Sequence, residues 1–375
     1  MKFIINTTNL QSGGALQVAL SLLEEWELLG LQNEFHIFLS PQLERLLATE
    51  KFAENFHFYT FKSNPTESLF SPFSFYKQLQ KREAQIKPDA VFTIFGPALW
   101  TPQNPHLVGF ANGYYLFEEA RFIQENILSH FAKRIPYKLR KSILLYQLKK
   151  ESNYCWVETI AAKQRLAMAI QKDAKEISVI GNTYSQHIQK STGVKQPSSG
   201  FKLLYLSAYY EHKNFEIIAQ VITLLMQKKR TCTFMLTLPQ SKFEALFPEH
   251  KNSPYLQNIG AVHPHECKPI YAQADAVFMP SMLETFSANY PEAMKMELPL
   301  ICSDFDFSRA ICGEAALYFD AQDPENIAEQ IIELMDNKAL QAQLIQSGKK
   351  RLEGMETPKS RAQKLLQLLT QIAQT

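Results

Sequence analysis

Two glutamates at one predicted sheet edge are the residues whose types and spacing most suggest chemistry. Residues 277–294, VFMPSMLETFSANYPEAM, have the pattern of a buried strand end, a loop that carries Glu284, and the start of a helix that carries Glu292. Ligands of open α/β sheets bind outside the carboxyl ends of the strands. Two carboxylates there can accept hydrogen bonds from several hydroxyl groups, which suits a sugar or a ribose. The alternative is that Glu292 only stabilises a helix N-terminus that begins at Pro291, and that Glu284 is a solvated loop residue.

Three further residues lie at predicted strand-to-helix turns. Gly13 and Gly14 separate a first strand from a first helix, where a backbone without side chains can approach a ligand closely. Lys213 follows a predicted strand in the second half of the chain and can place a positive charge on a phosphate. Taken singly, the glycines also fit a tight turn and the lysine a solvated surface. Their occurrence together with Glu284 and Glu292 at such turns favours a ligand site.

Short apolar strands that alternate with amphipathic helices must position these residues. In the first half we predict strands at 3–5, 34–39, 89–95, 107–110, 154–157 and 177–180, a helix at 15–29 and another from about residue 160. Residues 191–200, STGVKQPSSG, have the composition of a linker. In the second half we predict strands at 202–206, 233–237, 276–279 and 300–302, and helices at 215–227, 268–274, 292–297, 324–335 and 358–373. This alternation indicates an α/β chain with two Rossmann-like, doubly wound parallel-sheet domains that face a cleft.

The bulk composition limits the class of protein. The chain has 375 residues, of which 46% are hydrophobic and 20% are charged, as is ordinary for a globular chain of two domains. A net charge of +2 gives no sign of a nucleic-acid partner. Because the N-terminus lacks a signal-peptide pattern and no run of about 18 apolar residues occurs, we expect a cytoplasmic protein. The five scattered cysteines are expected to be reduced thiols in the core.

From about residue 201 to 335 the chain resembles the retaining glycosyltransferases of family 4, which have the two-domain GT-B fold. The most specific feature is the Glu-x7-Glu pair formed by Glu284 and Glu292, followed by LPLICS at 298–303. The other matching segments are the loop 13–15, the strand and loop 203–214, NIGAV at 258–262, YAQADA at 271–276 and CGEAALYFD at 312–320. The resemblance implies an acceptor-binding domain at 1–190, a nucleotide-sugar-binding domain at 200–357, and a helix at 358–375 that crosses back to the first domain.

The resemblance also assigns roles to the candidate residues. Glu284 would hold hydroxyls of the donor sugar, Glu292 would hold the ribose, and Lys213 would neutralise the diphosphate. Asn112 stands where a histidine near the donor sugar is often found. The remaining donor-binding residues would be Gly13, Gly14, Thr285, Phe286, Ser287 and Ala288, the last three through backbone amides. Because a lysine and fixed dipoles would stabilise the departing diphosphate, neither a metal nor another cofactor is expected.

The implied activity is transfer of a hexose from a nucleotide-sugar donor to a glycan or lipid-linked acceptor, with retention of configuration, in bacterial-type surface glycan or glycolipid biosynthesis. The chain departs from the family pattern at Asn112, at Ala208, where many members have an arginine, and at Ala310, where a glutamate is expected. Arg309 is a candidate replacement for the missing cation. These departures favour a divergent subfamily, and they leave two alternatives open. One is a sugar-nucleotide epimerase of the same fold, and the other is a non-catalytic subunit that binds a nucleotide sugar or glycan.

Residues 133–150 combine seven cations with interleaved apolar residues and contain no acid. Such a segment can lie on an anionic membrane, which would make the chain a peripheral protein at the inner membrane face. The alternative is a helix whose apolar residues face the core and whose basic face is solvated.

Overall fold

The computed structural model describes residues 1–11, 13–61, 71–188, 200–250 and 253–375. The chain divides into two compact units, Met1–Asn182 together with Glu356–Thr375, and Thr183–Met355. The linker predicted at 191–200 lies, except for Gly200, outside the described residues. Each unit is built on a parallel sheet, and the prediction of two parallel-sheet α/β domains is therefore confirmed.

The sheet of the first unit has seven described strands in the order β3-β2-β1-β4-β5-β6-β7, with parallel pairings throughout. The strands are β1 (Lys2–Asn6), β2 (Glu34–Phe38), β3 (Phe56–Tyr59), β4 (Ala90–Thr93), β5 (His106–Gly109), β6 (Tyr154–Val157) and β7 (Ile177–Val179). The helices are α1 (Gly14–Leu28), α2 (Pro41–Leu46), α3 (Ser71–Ile86), α4 (Gly113–Leu116), α5 (Arg121–Ile123), α6 (Phe131–Glu151), α7 (Ile160–Ile170) and, from the end of the chain, α15 (Pro358–Ile372).

The last helix, α15, completes the core of the first unit. The indole N–H of Trp26 on α1 donates to the carbonyl of Ala362 at 3.0 Å. Arg361, which is only 2% exposed, donates to Ser21 Oγ at 2.9 Å and to Asn182 Oδ1 at 2.5 Å. Burial lowers the pKa of Arg361 to about 10. The apolar side of the helix joins the same core cluster as α1 through Leu365, Leu369 and Ile372.

The second unit has a sheet of six described strands in the order β10-β9-β8-β11-β12-β13, again with parallel pairings. The strands are β8 (Phe201–Tyr205), β9 (Cys232–Leu236), β10 (Leu256–Asn258), β11 (Ala276–Met279), β12 (Leu300–Ser303) and β13 (Ala316–Phe319). The helices are α8 (Ile217–Gln227), α9 (Gln240–Leu246), α10 (Cys267–Tyr271), α11 (Asn289–Lys295), α12 (Asp306–Cys312), α13 (Pro324–Asp336) and α14 (Lys338–Glu353). Its central strands β8 and β11 carry buried apolar runs, as parallel strands covered on both faces do.

Several sequence predictions can be compared directly with these elements. The five cysteines are buried and form no disulfide, as expected. Helix α11 begins at Asn289, three residues before the predicted start at 292 and two before Pro291, the first helical residue in the alternative interpretation. None of the helices in the described ranges is long and apolar enough to cross a membrane.

Candidate functional site

The candidate site of the second unit is built where β8 and β11 end. These two strands are parallel neighbours, so the segments that follow them leave the same edge of the sheet. Tyr205, the last residue of β8, is fully buried, and its hydroxyl donates to the carbonyl of Lys213 at 2.7 Å and lies 3.3 Å from Ser281 Oγ. The amide of Met282 donates to the carbonyl of His212 at 2.8 Å. These bonds join the two segments and fix the backbone on which the site is carried.

Lys213 and Glu284 meet directly at this edge. The Lys213 Nζ atom lies 2.5 Å from Glu284 Oε1, and the two side chains are 13% and 9% exposed. A left-handed residue, Asn214 with φ 55°, turns the chain immediately after the lysine, and its side chain donates to the carbonyl of Ala321 at 2.8 Å. An ion pair with so little solvent around it is screened less than a surface pair. The predicted phosphate-binding cation and the predicted sugar-binding carboxylate are therefore partners before any ligand arrives.

Glu292 has a different environment from Glu284. It lies in α11, is 6% exposed, and accepts hydrogen bonds from Tyr271 Oη at 2.7 Å and from the amide of Ser185 at 3.3 Å. No salt bridge joins it to a cation in the part of the chain that the structure describes. Burial raises the pKa of Glu292 to about 7, and the two hydrogen bonds oppose that effect. Its carboxyl group is therefore poised to change charge near neutral pH.

The segment between the two glutamates runs into the start of α11. Thr285 and Ser287 are buried, whereas Phe286 and Ala288 are partly exposed. The side chain of Asn289 donates to the carbonyl of Leu206 at 2.5 Å, which ties the first residue of α11 to the end of β8. The backbone amides predicted to face phosphates therefore belong to a segment that is anchored on both sides.

His212, next to the lysine, is held as a neutral ring. Burial, and to a smaller extent the neighbouring charge of Lys213, lower its pKa to about 4. The ring stacks on Tyr210 with 5.6 Å between the ring centroids. At neutral pH this histidine can exchange hydrogen bonds with a ligand but brings no positive charge.

The position predicted to lack a cation is exposed. Ala208 lies in the loop after β8, and the adjacent Tyr209 ring carries the ammonium group of Lys242 at 3.5 Å from its centroid. Arg309, the suggested replacement, forms an ion pair with Asp304 and is 54% exposed. Its charge is therefore already compensated, whereas the ammonium of Lys242 packs on an aromatic face next to position 208.

The candidate residues of the first unit carry no charge. Gly13 has φ 68° and ψ −151°, in the region that favours glycine, and caps α1. A Cβ atom at Gly14 would meet nothing within 4 Å, so packing does not require glycine there. Asn112 caps α4, and its backbone carbonyl accepts from the amides of Tyr115 and Leu116 at 3.2 Å. Its side-chain Oδ1 atom is buried and has no hydrogen-bond partner among the described residues.

Three residues of the site were not singled out from the sequence. Tyr205 and Asn289 join β8 to the glutamate segment, and Tyr271 holds Glu292. Tyr205, Tyr271 and Asn289 lie within the segments 203–214, 271–276 and 277–294, but none of the three carries a signal of its own. Their importance depends on pairings between segments far apart in the chain.

Comparisons with known proteins agree with this architecture. Residues 189–351 match the family model described as glycosyl transferases group 1. A search of curated protein sequences finds no match.

Three solved structures illustrate the similarity of fold. HepE from Anabaena, solved with UDP and glucose, is 13% identical over 99% of this chain and 100% of that chain, with a TM-score of 0.73. WaaG, a glycosyltransferase involved in lipopolysaccharide biosynthesis, is 11% identical over 99% and 100%, with a TM-score of 0.74. A putative UDP-N-acetylglucosamine 2-epimerase from Listeria monocytogenes is 13% identical over 100% and 97%, with a TM-score of 0.63. The chain thus has the GT-B fold, and its residues 189–351 match the group 1 glycosyltransferases.

Proposed function

We propose that this protein is a retaining glycosyltransferase that moves a sugar from a nucleotide-sugar donor to an acceptor hydroxyl. The observation that carries the proposal is the pair of Lys213 and Glu284, which joins a cation for phosphate to a carboxylate for sugar hydroxyls at one sheet edge. Glu292, at the other end of the segment 284–292, is the residue proposed to bind the ribose. The match of residues 189–351 to a glycosyltransferase family model and the UDP and glucose bound to HepE support this assignment.

In the proposed reaction the acceptor oxygen bonds to the anomeric carbon on the face from which the diphosphate leaves. The bond between that carbon and the phosphate oxygen breaks, and the leaving phosphate takes the acceptor proton. Lys213 and the backbone amides of 286–288 offset the negative charge that develops on the diphosphate, and the amides are fixed in advance. Under this proposal the transfer needs no metal ion or other cofactor.

Donor binding must rearrange the pair of Lys213 and Glu284. A phosphate that attracts the lysine loosens its bond to Glu284 and leaves that carboxylate able to accept sugar hydroxyls. The pair thus couples binding of the phosphate to binding of the sugar. Glu284 becomes free to accept sugar hydroxyls when Lys213 binds the phosphate.

The proposal can be tested by screening UDP-, GDP- and dTDP-sugars for thermal stabilisation of the purified protein, since a tight ligand raises stability by mass action. The stabilising donor is then incubated with a panel of glycan and lipid-linked acceptors, and the anomeric configuration of the product is read by NMR. Retention is expected, and an inverted product would reject the retaining mechanism.

Two alternatives have separate signatures. The fold similarity to the Listeria epimerase keeps a sugar-nucleotide epimerase as a candidate, which would convert the donor without an acceptor. A non-catalytic subunit, suggested by Ala208 and Asn112, would bind the donor and turn over no acceptor in the panel. Product analysis with and without acceptor separates the three functions.

The acceptor is proposed to be a surface glycan or glycolipid intermediate, because WaaG has the same fold and acts in lipopolysaccharide biosynthesis.

Helix α6 offers a surface for a membrane that carries such an acceptor. Its buried face contains Tyr137, Leu145 and Leu148. The opposite face carries large apolar side chains that are more than half exposed, at Phe131, Ile135, Leu139, Ile143 and Tyr146. Their spacing of three or four residues places them along one stripe of the helix.

Cations surround this apolar stripe. The exposed ones are Lys133, Arg134, Lys138, Arg140, Lys149 and Lys150, whereas Lys141 pairs with Glu118 at 2.5 Å. We propose that the stripe enters the interface of an anionic bilayer at the cytoplasmic face while the cations lie among the headgroups.

Vesicle sedimentation tests this contact. The protein is expected to bind phosphatidylglycerol-containing vesicles and to bind pure phosphatidylcholine vesicles more weakly. A double variant, Ile135→Ser with Leu139→Ser, should weaken binding by about tenfold or more, because two apolar anchors are lost. Leu28→Ser on α1, where the leucine is 74% exposed, is the matched control. Unchanged sedimentation of the double variant would reject the contact without affecting the donor site.

A further inference from the structure

Two histidines and a glutamate converge on one face of the first sheet, outside the residues assigned above. His36 on β2 and His57 on β3 are direct partners in the parallel register, so their side chains project side by side. Glu34 lies two residues before His36 and therefore on the same face. His36 Nε2 lies 2.8 Å and His57 Nε2 lies 3.6 Å from the same atom, Glu34 Oε1.

The groups around the cluster resemble those that orient the ligands of a metal site. The Nδ1 atom of His36 lies 2.8 Å from Tyr59 Oη, and a hydroxyl there can accept from an Nδ1–H group. At 2.8 Å the carboxylate oxygen Glu34 Oε1 can only accept, so Nε2 of His36 carries the proton while no ion is bound. A metal ion would replace that proton, and an Nδ1–H group would then donate to Tyr59 Oη. Lys2 approaches the other carboxylate oxygen, Glu34 Oε2, at 3.4 Å, so Oε1 is left for the histidines.

We propose that Glu34, His36 and His57 bind a Zn²⁺ ion at the outer edge of the first sheet. The three ligand atoms lie within 4.8 Å of one another, and tetrahedral zinc with bonds of about 2 Å needs ligand atoms about 3.3 Å apart. The required change in separation, up to about 1.5 Å, is available because the Glu34 and His57 side chains are 40% and 42% exposed. Two imidazoles and one carboxylate select zinc or a similar divalent metal over magnesium or calcium.

The proposed ion would act on the fold and takes no part in sugar transfer. β3 is an edge strand, paired only with β2 in the order of the described sheet. A metal held by one histidine from each strand cross-links β3 to β2 and stabilises the edge strand β3 against local unfolding. The exposure of the cluster leaves the fourth coordination position to water.

Zinc titration of the tag-free, EDTA-dialysed protein by calorimetry tests the proposal, with Co²⁺ absorption as an independent report of the coordination geometry. Wild type should bind zinc and gain thermal stability from it. His57→Ala should lose this binding and keep its fold, because the side chain it truncates is 42% exposed. Tyr59→Phe removes only the hydroxyl that orients His36 and should weaken binding by about tenfold.

His130→Ala, which removes an exposed histidine elsewhere in the first unit, is the matched control and should bind zinc as wild type does. Zinc binding that is identical in wild type and His57→Ala would overturn the assignment, as would a wild-type protein that binds no zinc. Because the readouts are metal binding and stability, failure here leaves the proposed transferase untouched.

Discussion

The carboxyl edges of the two sheets carry different chemistry. In the second unit the candidate residues are charged, and each has a partner: Lys213 pairs with Glu284, and Glu292 accepts from two donors. In the first unit they are uncharged, and Asn112 keeps a buried oxygen without a partner among the described residues. A charged edge suits a phosphate-bearing donor, whereas a neutral polar edge suits hydroxyl groups. The same architecture thus supports two kinds of ligand by the choice of a few loop residues.

The largest effect is expected from removing the cation of the charged edge. Lys213→Ala should lower the transfer rate by about 10²- to 10³-fold, because the departing diphosphate loses a fixed positive charge. Initial rates at saturating donor measure this. Lys228→Ala, which removes a 38% exposed lysine of the same unit that pairs with Glu325, is the control and should keep its activity. A folded Lys213→Ala variant with nearly normal rates would break the contrast between the two edges.

The next largest effect concerns the ribose carboxylate. Because the pKa of Glu292 is about 7, donor affinity in the wild type should rise with pH as the carboxyl ionises through that value. Glu292→Gln should bind the donor about ten- to a hundredfold more weakly at pH 8, since bonds to a charged acceptor are lost, and should show no such rise. Calorimetric titrations at pH 6 and pH 8 check both statements, and an unaltered pH profile in the variant would exclude Glu292 as the titrating group.

Glu292→Gln is expected to raise the stability of the protein, although it weakens donor binding. The folded-state pKa of Glu292 lies above its ordinary value of 4.5, so the folded protein holds the proton that the unfolded chain releases. This stability is fully present below pH 4.5 and is lost as the pH rises through about 7. Glutamine does not ionise, so Glu292→Gln should gain stability relative to wild type between pH 5 and pH 8, on the order of 1–3 kcal/mol. Denaturant unfolding at the two pH values measures it.

A smaller effect is expected from the substitution of Glu284, the acidic member of the ion pair. Glu284→Gln should lower transfer about tenfold, because the donor sugar loses a charged acceptor. It should also tighten the binding of the free nucleoside diphosphate a few-fold, since Lys213 no longer has to break an ion pair with Glu284 before it binds the phosphate. Weaker binding of the diphosphate by this variant would contradict the proposed coupling.

The smallest effect is expected at the neutral edge. Asn112→Ala should lower the transfer rate about fivefold, equivalent to one hydrogen bond of about 1 kcal/mol to the donor sugar. Steady-state kinetics with varied donor test it, with Asn112→Asp as a companion that retains the oxygen. A change in the acceptor KM alone would contradict a role near the donor sugar.

Much of the fold was readable because buried parallel strands are short apolar runs. The strands 154–157 and 276–279 were predicted with the observed bounds, and most others to within a few residues. The edge strands β3, β10 and β13 were missed, and each of them is only partly buried. Helix α14 was missed for the same reason, since only Leu344 and Gly348 of its residues are buried.

The site was readable only in part. The sequence placed Lys213, Glu284 and Glu292 at strand-to-helix turns, which parallel topology brings to one edge. It could not show that Lys213 and Glu284 pair directly, because they are 71 residues apart and the contact depends on the register of β8 beside β11. Nor could it show that Glu292 is buried, which raises the pKa of its carboxyl, or that Tyr271 donates to it, which opposes that rise.

The position of α15 has a consequence for how the chain folds during synthesis. The first unit contains residues from both ends of the chain, whereas the second is continuous in sequence. The second unit can therefore fold as soon as it leaves the ribosome, although it is made later. The first must wait for the final helix to cover Trp26 and to bring Arg361 to Ser21. Until α15 has been made, the earlier part of the first unit exposes an unfinished core, which that helix then closes.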